Sequence, residues 1–167
     1  KAIQIMNSVK AQQSRQILRL GIWTPVTKSP EVELFLDLEA SGELFQDDPA
    51  WNCTYLIGVI PRRGGKEEPY VSFVAKNPGE ERSVLQAFFG YLRSLQAAYR
   101  LIHWYHYEKT QMKAACERQG LTEEFERWIL PFLSDLSKPA MAAFALPTTG
   151  WSIKVVAPFF GFTWRQD

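Results

Sequence analysis

The stretch Glu33-Leu34-Phe35-Leu36-Asp37-Leu38-Glu39 decides how the chain is read. Val32, Leu34, Phe35, Leu36 and Leu38 make a nearly continuous apolar run, the pattern of a central strand covered on both faces. Asp37 and Glu39 interrupt it at i and i+2. Side chains alternate along a strand, so these two carboxylates share one face. Side by side at the end of a buried strand they repel each other and lose hydration, unless a cation sits between them. Oxygen-only ligation favours a hard divalent ion such as Mg²⁺ or Mn²⁺. The alternative is a strand that simply ends there, with both acids facing water.

Downstream, Trp51 to Ile60 reads as a second strand, rich in β-branched and aromatic residues. Pro61 to Lys66 is a turn with three basic side chains, Arg62, Arg63 and Lys66, read as a solvated hairpin tip within reach of a phosphate. Tyr70 to Ala75 is a third strand, so three strands make an antiparallel meander. The period then changes. Val84, Leu85, Phe88, Phe89, Leu92 and Leu95 have helical spacing within Glu80 to Ala98. A short strand at Leu101 to Trp104 follows, then helices at His106 to Gln119 and Glu123 to Leu130, the latter capped by Thr122. Phe132 to Leu136 can be a last strand, with Asp135 capping a turn, and Trp151 to Phe160 a short or kinked helix holding Pro158 and stopped by Gly161. Upstream, residues 1–20 read as a helix ended by Gly21. The Phe88-Phe89 and Phe159-Phe160 pairs read as core stripes. A meander leading into β-α-β units implies a mixed sheet with helices on its faces.

With 167 residues the chain is long enough for one domain with a full core, and 46% apolar content argues against disorder. The 19 basic residues against 18 acidic ones leave a formal charge of +1, so any nucleic-acid surface must be a local patch. Cys53 and Cys116 have neither metal spacing nor a disulfide framework, and two buried thiols in a reducing cytoplasm is the expected reading. No apolar run reaches transmembrane length, so no membrane partner is expected. The ends at Lys1 and Asp167 read as cuts in a longer protein.

The element order, Leu36-Asp37-Leu38-Glu39 and the strand after it resemble the ribonuclease H-like 3′–5′ exonuclease superfamily, and within it the nuclease domain of RecB-like proteins. Leu36 to Glu39 resembles the first, Asp-x-Glu, motif. Ile102 to Glu108 resembles the second, in which a tyrosine and an acid follow a short strand. Ser134-Asp135-Leu136 and Gly150 to Lys154 resemble the segments between the second and third motifs. His106 and Glu108 stand where the superfamily usually has Asn and Asp, and the third motif, a Tyr followed by Asp, is expected beyond Asp167.

The resemblance implies an α/β ribonuclease H-like fold, a mixed five-stranded sheet flanked by helices. Residues 31–167 would form the nuclease domain, truncated before its last acidic motif, behind an N-terminal helix and linker over 1–30. It implies a 3′–5′ exonuclease on nucleic acid, DNA rather than RNA, working with other domains of the same longer chain. Asp37, Glu39 and Glu108 would be the catalytic carboxylates, converging on one pocket and holding two Mg²⁺ or Mn²⁺ ions about 3.5–4 Å apart. His106 and Tyr107 would touch substrate, and His103 would pack in the core. The fragment alone is expected to be inactive. The alternative is a non-catalytic module that positions nucleic acid or a partner on the same fold.

Overall fold

The computed structural model describes residues 2–23, 30–41 and 52–163. In chain order these form α1 (Ala2–Ser14), β1 (Leu18–Arg19), β2 (Val32–Ala40), β3 (Thr54–Arg63), β4 (Lys66–Glu67), β5 (Val71–Val74), α2 (Glu81–Ser94), β6 (Tyr99–His103), α3 (Tyr107–Arg118), α4 (Thr122–Trp128), β7 (Leu133–Asp135), α5 (Ser137–Ala143), β8 (Phe144–Ala145) and α6 (Ile153–Val156). Short 3₁₀ turns precede α2, precede β7 and follow α6. The chain divides into two compact units, residues 28–135 and residues 1–27 with 136–167. Among the described residues no helix is long and apolar enough to cross a membrane.

The larger unit is built on β2. Val32, Leu34, Leu36 and Leu38 are buried while Glu33 and Phe35 are half-buried and Asp37 and Glu39 exposed. The strand is therefore two-faced, not covered on both sides, because its odd positions carry three acids that a dry interior would penalise. β3 pairs antiparallel with β2 along its whole length, and β6 runs parallel on the other side. β7 pairs parallel with β6. β4 and β5 both pair with β3 on the side away from β2, as one edge strand in two pieces. The sheet thus has five positions, β4/β5–β3–β2–β6–β7, antiparallel on one side of β2 and parallel on the other. This is the mixed sheet expected from the meander and the β-α-β pattern.

β3 begins three residues later than the sequence suggests and runs through Pro61, Arg62 and Arg63. The turn shrinks to Gly64-Gly65, both with positive φ (54° and 80°). A two-residue hairpin loop of type I′ needs positive φ at both positions, and glycine takes it without a Cβ clash.

The helices cover the even face of β2. Val84, Leu85, Phe88, Phe89 and Leu92 of α2, Met112, Ala115 and Cys116 of α3, and Phe125 of α4 join Leu34, Leu36 and Leu38 in one core. Inside this layer sits a carboxylate. Glu81, 1% exposed, accepts the Thr54 backbone N–H (2.7 Å), Arg118 Nη2 (2.6 Å) and Gln119 Nε2 (2.8 Å). It ties the start of β3 to the start of α2 and the end of α3. Leu121 occupies the cap position of α4, and Thr122 is its first residue.

In the smaller unit, β1 and β8 pair antiparallel. The Leu20 and Gly21 N–H groups both donate to Ala143 O, and Gln12 Nε2 donates to Thr148 O. α1 stops at Ser14 rather than running to residue 20, since Ile17 to Arg19 are drawn into the strand pairing. Its apolar residues Ile3, Ile5, Met6 and Val9 are exposed. Phe159 and Phe160 are exposed too, unlike the buried Phe88 and Phe89, because the chain there is a 3₁₀ turn closed by Gly161 in the left-handed conformation.

Candidate active site

Each carboxylate singled out from the sequence can be placed. Asp37 and Glu39 lie on the face of β2 opposite the core, near its C-terminal end and just before a register shift between Glu39 and Ala40. Across the ladder on the same face stand Gly58, opposite Asp37, and Leu56, opposite Glu39. Lower on this face, Arg62 bonds Glu33 (Nη2–Oε2 2.6 Å) and lies 5.0 Å over the Phe35 ring. Arg63 pairs with Glu68 at 2.9 Å. Two of the three basic side chains of the hairpin are thus matched by acids.

Gly58 explains how the face is shaped at Asp37. A Cβ there would run into the Tyr70 hydroxyl and come within 2.9 Å of two of its ring carbons. The Tyr70 ring therefore lies across Gly58, beside the position opposite Asp37. Burial first, and then the Asp37 charge, push the Tyr70 phenol above its ordinary value. The sequence reading missed Tyr70. The available signal was a glycine inside an otherwise bulky strand, which often marks close approach of another group.

Glu108 lies elsewhere. Tyr99 and Leu101 of β6 pair with Val32 and Leu34, so His103, two residues on, shares their core-side face. Glu108, in the first turn of α3, approaches it, with His103 Nδ1 and Glu108 Oε2 3.5 Å apart and both side chains nearly buried. Neither atom has a hydrogen-bond partner among the described residues. The structure brings Asp37 and Glu39 together and sets Glu108 against His103 on the other face. The expected convergence of all three on one pocket is not the arrangement found. His103 is in the core, as expected.

Between β6 and α3 the chain turns through Trp104, Tyr105 and His106. Tyr105 is held at φ 69°, a conformation costing a non-glycine residue about 1–3 kcal/mol. Its backbone N–H donates to Asp135 Oδ1 at 2.9 Å, so Asp135 latches this turn to the end of β7 instead of only capping its own. The Tyr105 and His106 rings are 4.4 Å apart at 56°. His106 is exposed, while Tyr107 packs against the core.

Among the described residues no group of three or more His, Cys, Asp and Glu side chains is placed to hold a metal ion. Asp37 and Glu39 nevertheless have the chemistry a hard divalent cation needs: anionic oxygen donors, solvent access and a shared face. They fit such an ion as a pair, and Glu108 as it stands does not complete them. The two thiols are buried and free, and burial pushes Cys116 up to about 12.

A family profile described as the RNase H superfamily matches residues 34–167. No curated protein and no solved structure matches the chain.

Proposed function

The chain belongs to the RNase H superfamily, and from that premise we propose that residues 31–167 act as a metal-dependent nuclease domain, behind an N-terminal helix and linker over 1–30. The reaction is hydrolysis of phosphodiester bonds at nucleic acid ends, as a 3′–5′ exonuclease on DNA, within a larger RecB-like protein of a reducing cytoplasm. One observation carries the reading. Asp37 and Glu39 stand exposed on one face of β2 at its C-terminal end, and ligands of open α/β sheets bind outside the carboxyl ends of strands.

Asp37 and Glu39 are the residues that would hold Mg²⁺ or Mn²⁺. Such ions, when bound, neutralise phosphate charge and lower the pKa of the attacking water. Asp37 lies deeper along β2 and anchors the phosphate end of the site; Glu39, two residues nearer the strand end, orients the attacking water. Glu108 is the third carboxylate of this proposal. Its partner in the structure is His103, so it serves only when that pair opens. His106, exposed beside the turn into α3, contacts substrate.

The test is Mn²⁺-stimulated cleavage of an end-labelled oligonucleotide by the longer protein proposed above, as wild type and with Asp37→Asn or Glu39→Gln. Loss of cleavage in both variants, with melting temperatures unchanged, is expected. Equal cleavage by all three proteins removes the pair from the chemistry. A second reading, a module that positions nucleic acid without turnover, is favoured by the placement of Glu108 against His103. It predicts oligonucleotide binding with no cleavage by the longer wild-type protein at any Mn²⁺ concentration.

A further inference from the structure

Three described residues other than glycine have positive φ: Arg15, Gln96 and Tyr105. Arg15 and Gln96 come directly or shortly after the ends of α1 and α2, where a left-handed residue closes a helix. Tyr105 is different. It lies between a strand and a helix, where no helix needs closing, and it is an aromatic residue in a conformation that glycine or asparagine adopts more readily. Burial does not repay the strain, since Tyr105 is 43% exposed. What the strain achieves is display: the Tyr105 ring stands out of the turn and meets the exposed His106 ring at 4.4 Å. Asp135 fixes the turn from the neighbouring strand through the Tyr105 N–H.

The turn is also well placed. β2 and β6 run parallel, and Phe35 is level with Ile102. β6 ends at His103, one residue past the Phe35–Ile102 pair, so the chain leaves the sheet there toward the same end of β2 that carries Asp37 and Glu39. The aromatic pair and the carboxylate pair therefore lie at the same end of adjacent strands.

We infer that Tyr105 and His106 form a ledge on which a base of single-stranded nucleic acid stacks, positioning the strand for the Asp37–Glu39 end of the sheet. This rests on the nucleic-acid reading above and specifies its substrate as unpaired rather than duplex. An exposed aromatic face stacks any base and is blind to sequence. A base held in a duplex has no free face to offer.

The experiment is fluorescence anisotropy with a labelled oligo-dT and a duplex of equal length, in EDTA so that no cleavage enters. Wild type is expected to prefer the single strand. Tyr105→Ala should weaken that binding about tenfold, and Tyr105→Phe should retain it. Tyr105→Gly should weaken it as much as alanine does while raising the melting temperature, because glycine relieves the strain. The loss should persist as salt is raised, unlike a phosphate contact. Wild-type affinity in Tyr105→Gly, an equal loss in Tyr105→Phe, or no preference for the single strand each overturn the ledge. The two proposals fail by different readouts: loss of single-strand affinity in Tyr105→Ala is read in EDTA with no metal present, whereas the nuclease reading is scored only by cleavage in Mn²⁺.

Discussion

Replacing Glu81 by alanine should be among the most damaging single changes in the larger unit. The carboxylate is 1% exposed and receives the Thr54 N–H, Arg118 and Gln119. Alanine leaves a buried N–H without its acceptor and a guanidinium without its anion. Breaking a buried pair from one side costs about 3–5 kcal/mol. The Arg118 side chain is 29% exposed, so water recovers part of that, and about 3 kcal/mol is the reasoned figure. In a protein of this size that lowers the melting temperature by about 6–12 °C. Glu81→Gln keeps one oxygen for Thr54 and Arg118 Nη2 but turns an NH2 toward the Gln119 and Arg118 Nε donors, so it should cost less than alanine, about 2 kcal/mol. Neighbouring Glu80 is the control. It bonds the Lys76 N–H and Asn77 at the surface, so Glu80→Ala should cost under about 1 kcal/mol. Urea unfolding followed by tryptophan fluorescence measures all three. A loss below about 1 kcal/mol for Glu81→Ala, or equal losses for Glu80 and Glu81, would refute the claim that this carboxylate joins β3, α2 and α3.

Other outcomes follow from the same geometry. Gly58→Ala should leave stability within about 1 kcal/mol of wild type, since the exposed Tyr70 ring can swing aside; in a Tyr70→Ala background it should stabilise by about 0.5–1 kcal/mol, read from paired melting curves. Phe88→Ala should cost about 3–5 kcal/mol and Phe160→Ala under about 0.5, because only the first ring is in the core. Burial raises Cys116 from 9.0 to about 12, and Tyr99, whose hydroxyl donates to Trp128 O, from 10.0 to about 12. Both hold their protons more tightly folded than unfolded, so stability is full below about pH 9 and falls as pH rises toward 12. Melting temperatures across that range should drop less in Cys116→Ala than in wild type.

Much of the sheet was legible because its signals are local. The apolar run of β2, the turn between Pro61 and Lys66 and the helical spacing of α2 each lie within one window of sequence. The reading of β2 as covered on both faces failed because Phe35 completes an apolar run although it faces Arg62, a partner 27 residues away. β1 and β8 were missed for a similar reason: two-residue strands arise from pairing between distant segments and leave no period. The Asp37–Glu39 pair followed from alternation alone. The Glu108–His103 contact, the Asp135 latch on Tyr105 and the Tyr70 ring over Gly58 depend on side-chain direction after folding, and periodicity carries no such information. The segment from Ala40 to Pro49, whose Gly42, Asp47, Asp48 and Pro49 imply a loop, lies outside the described residues beyond Ser41.

The divided edge strand has a consequence for behaviour at high concentration. β4 has two residues and β5 four, with Glu68, Pro69 and Tyr70 between them and a one-residue slip in register across the gap. A proline there has no N–H to offer, and the acidic and basic side chains beside it resist a neutral apolar strand. A neighbouring molecule laying an extended segment along this border would find at most four consecutive residues in register before the pattern breaks. Growth of one sheet onto the next through this border is thereby discouraged by the chain itself, without a cap or a partner, and the protein should tolerate crowding there without forming fibres.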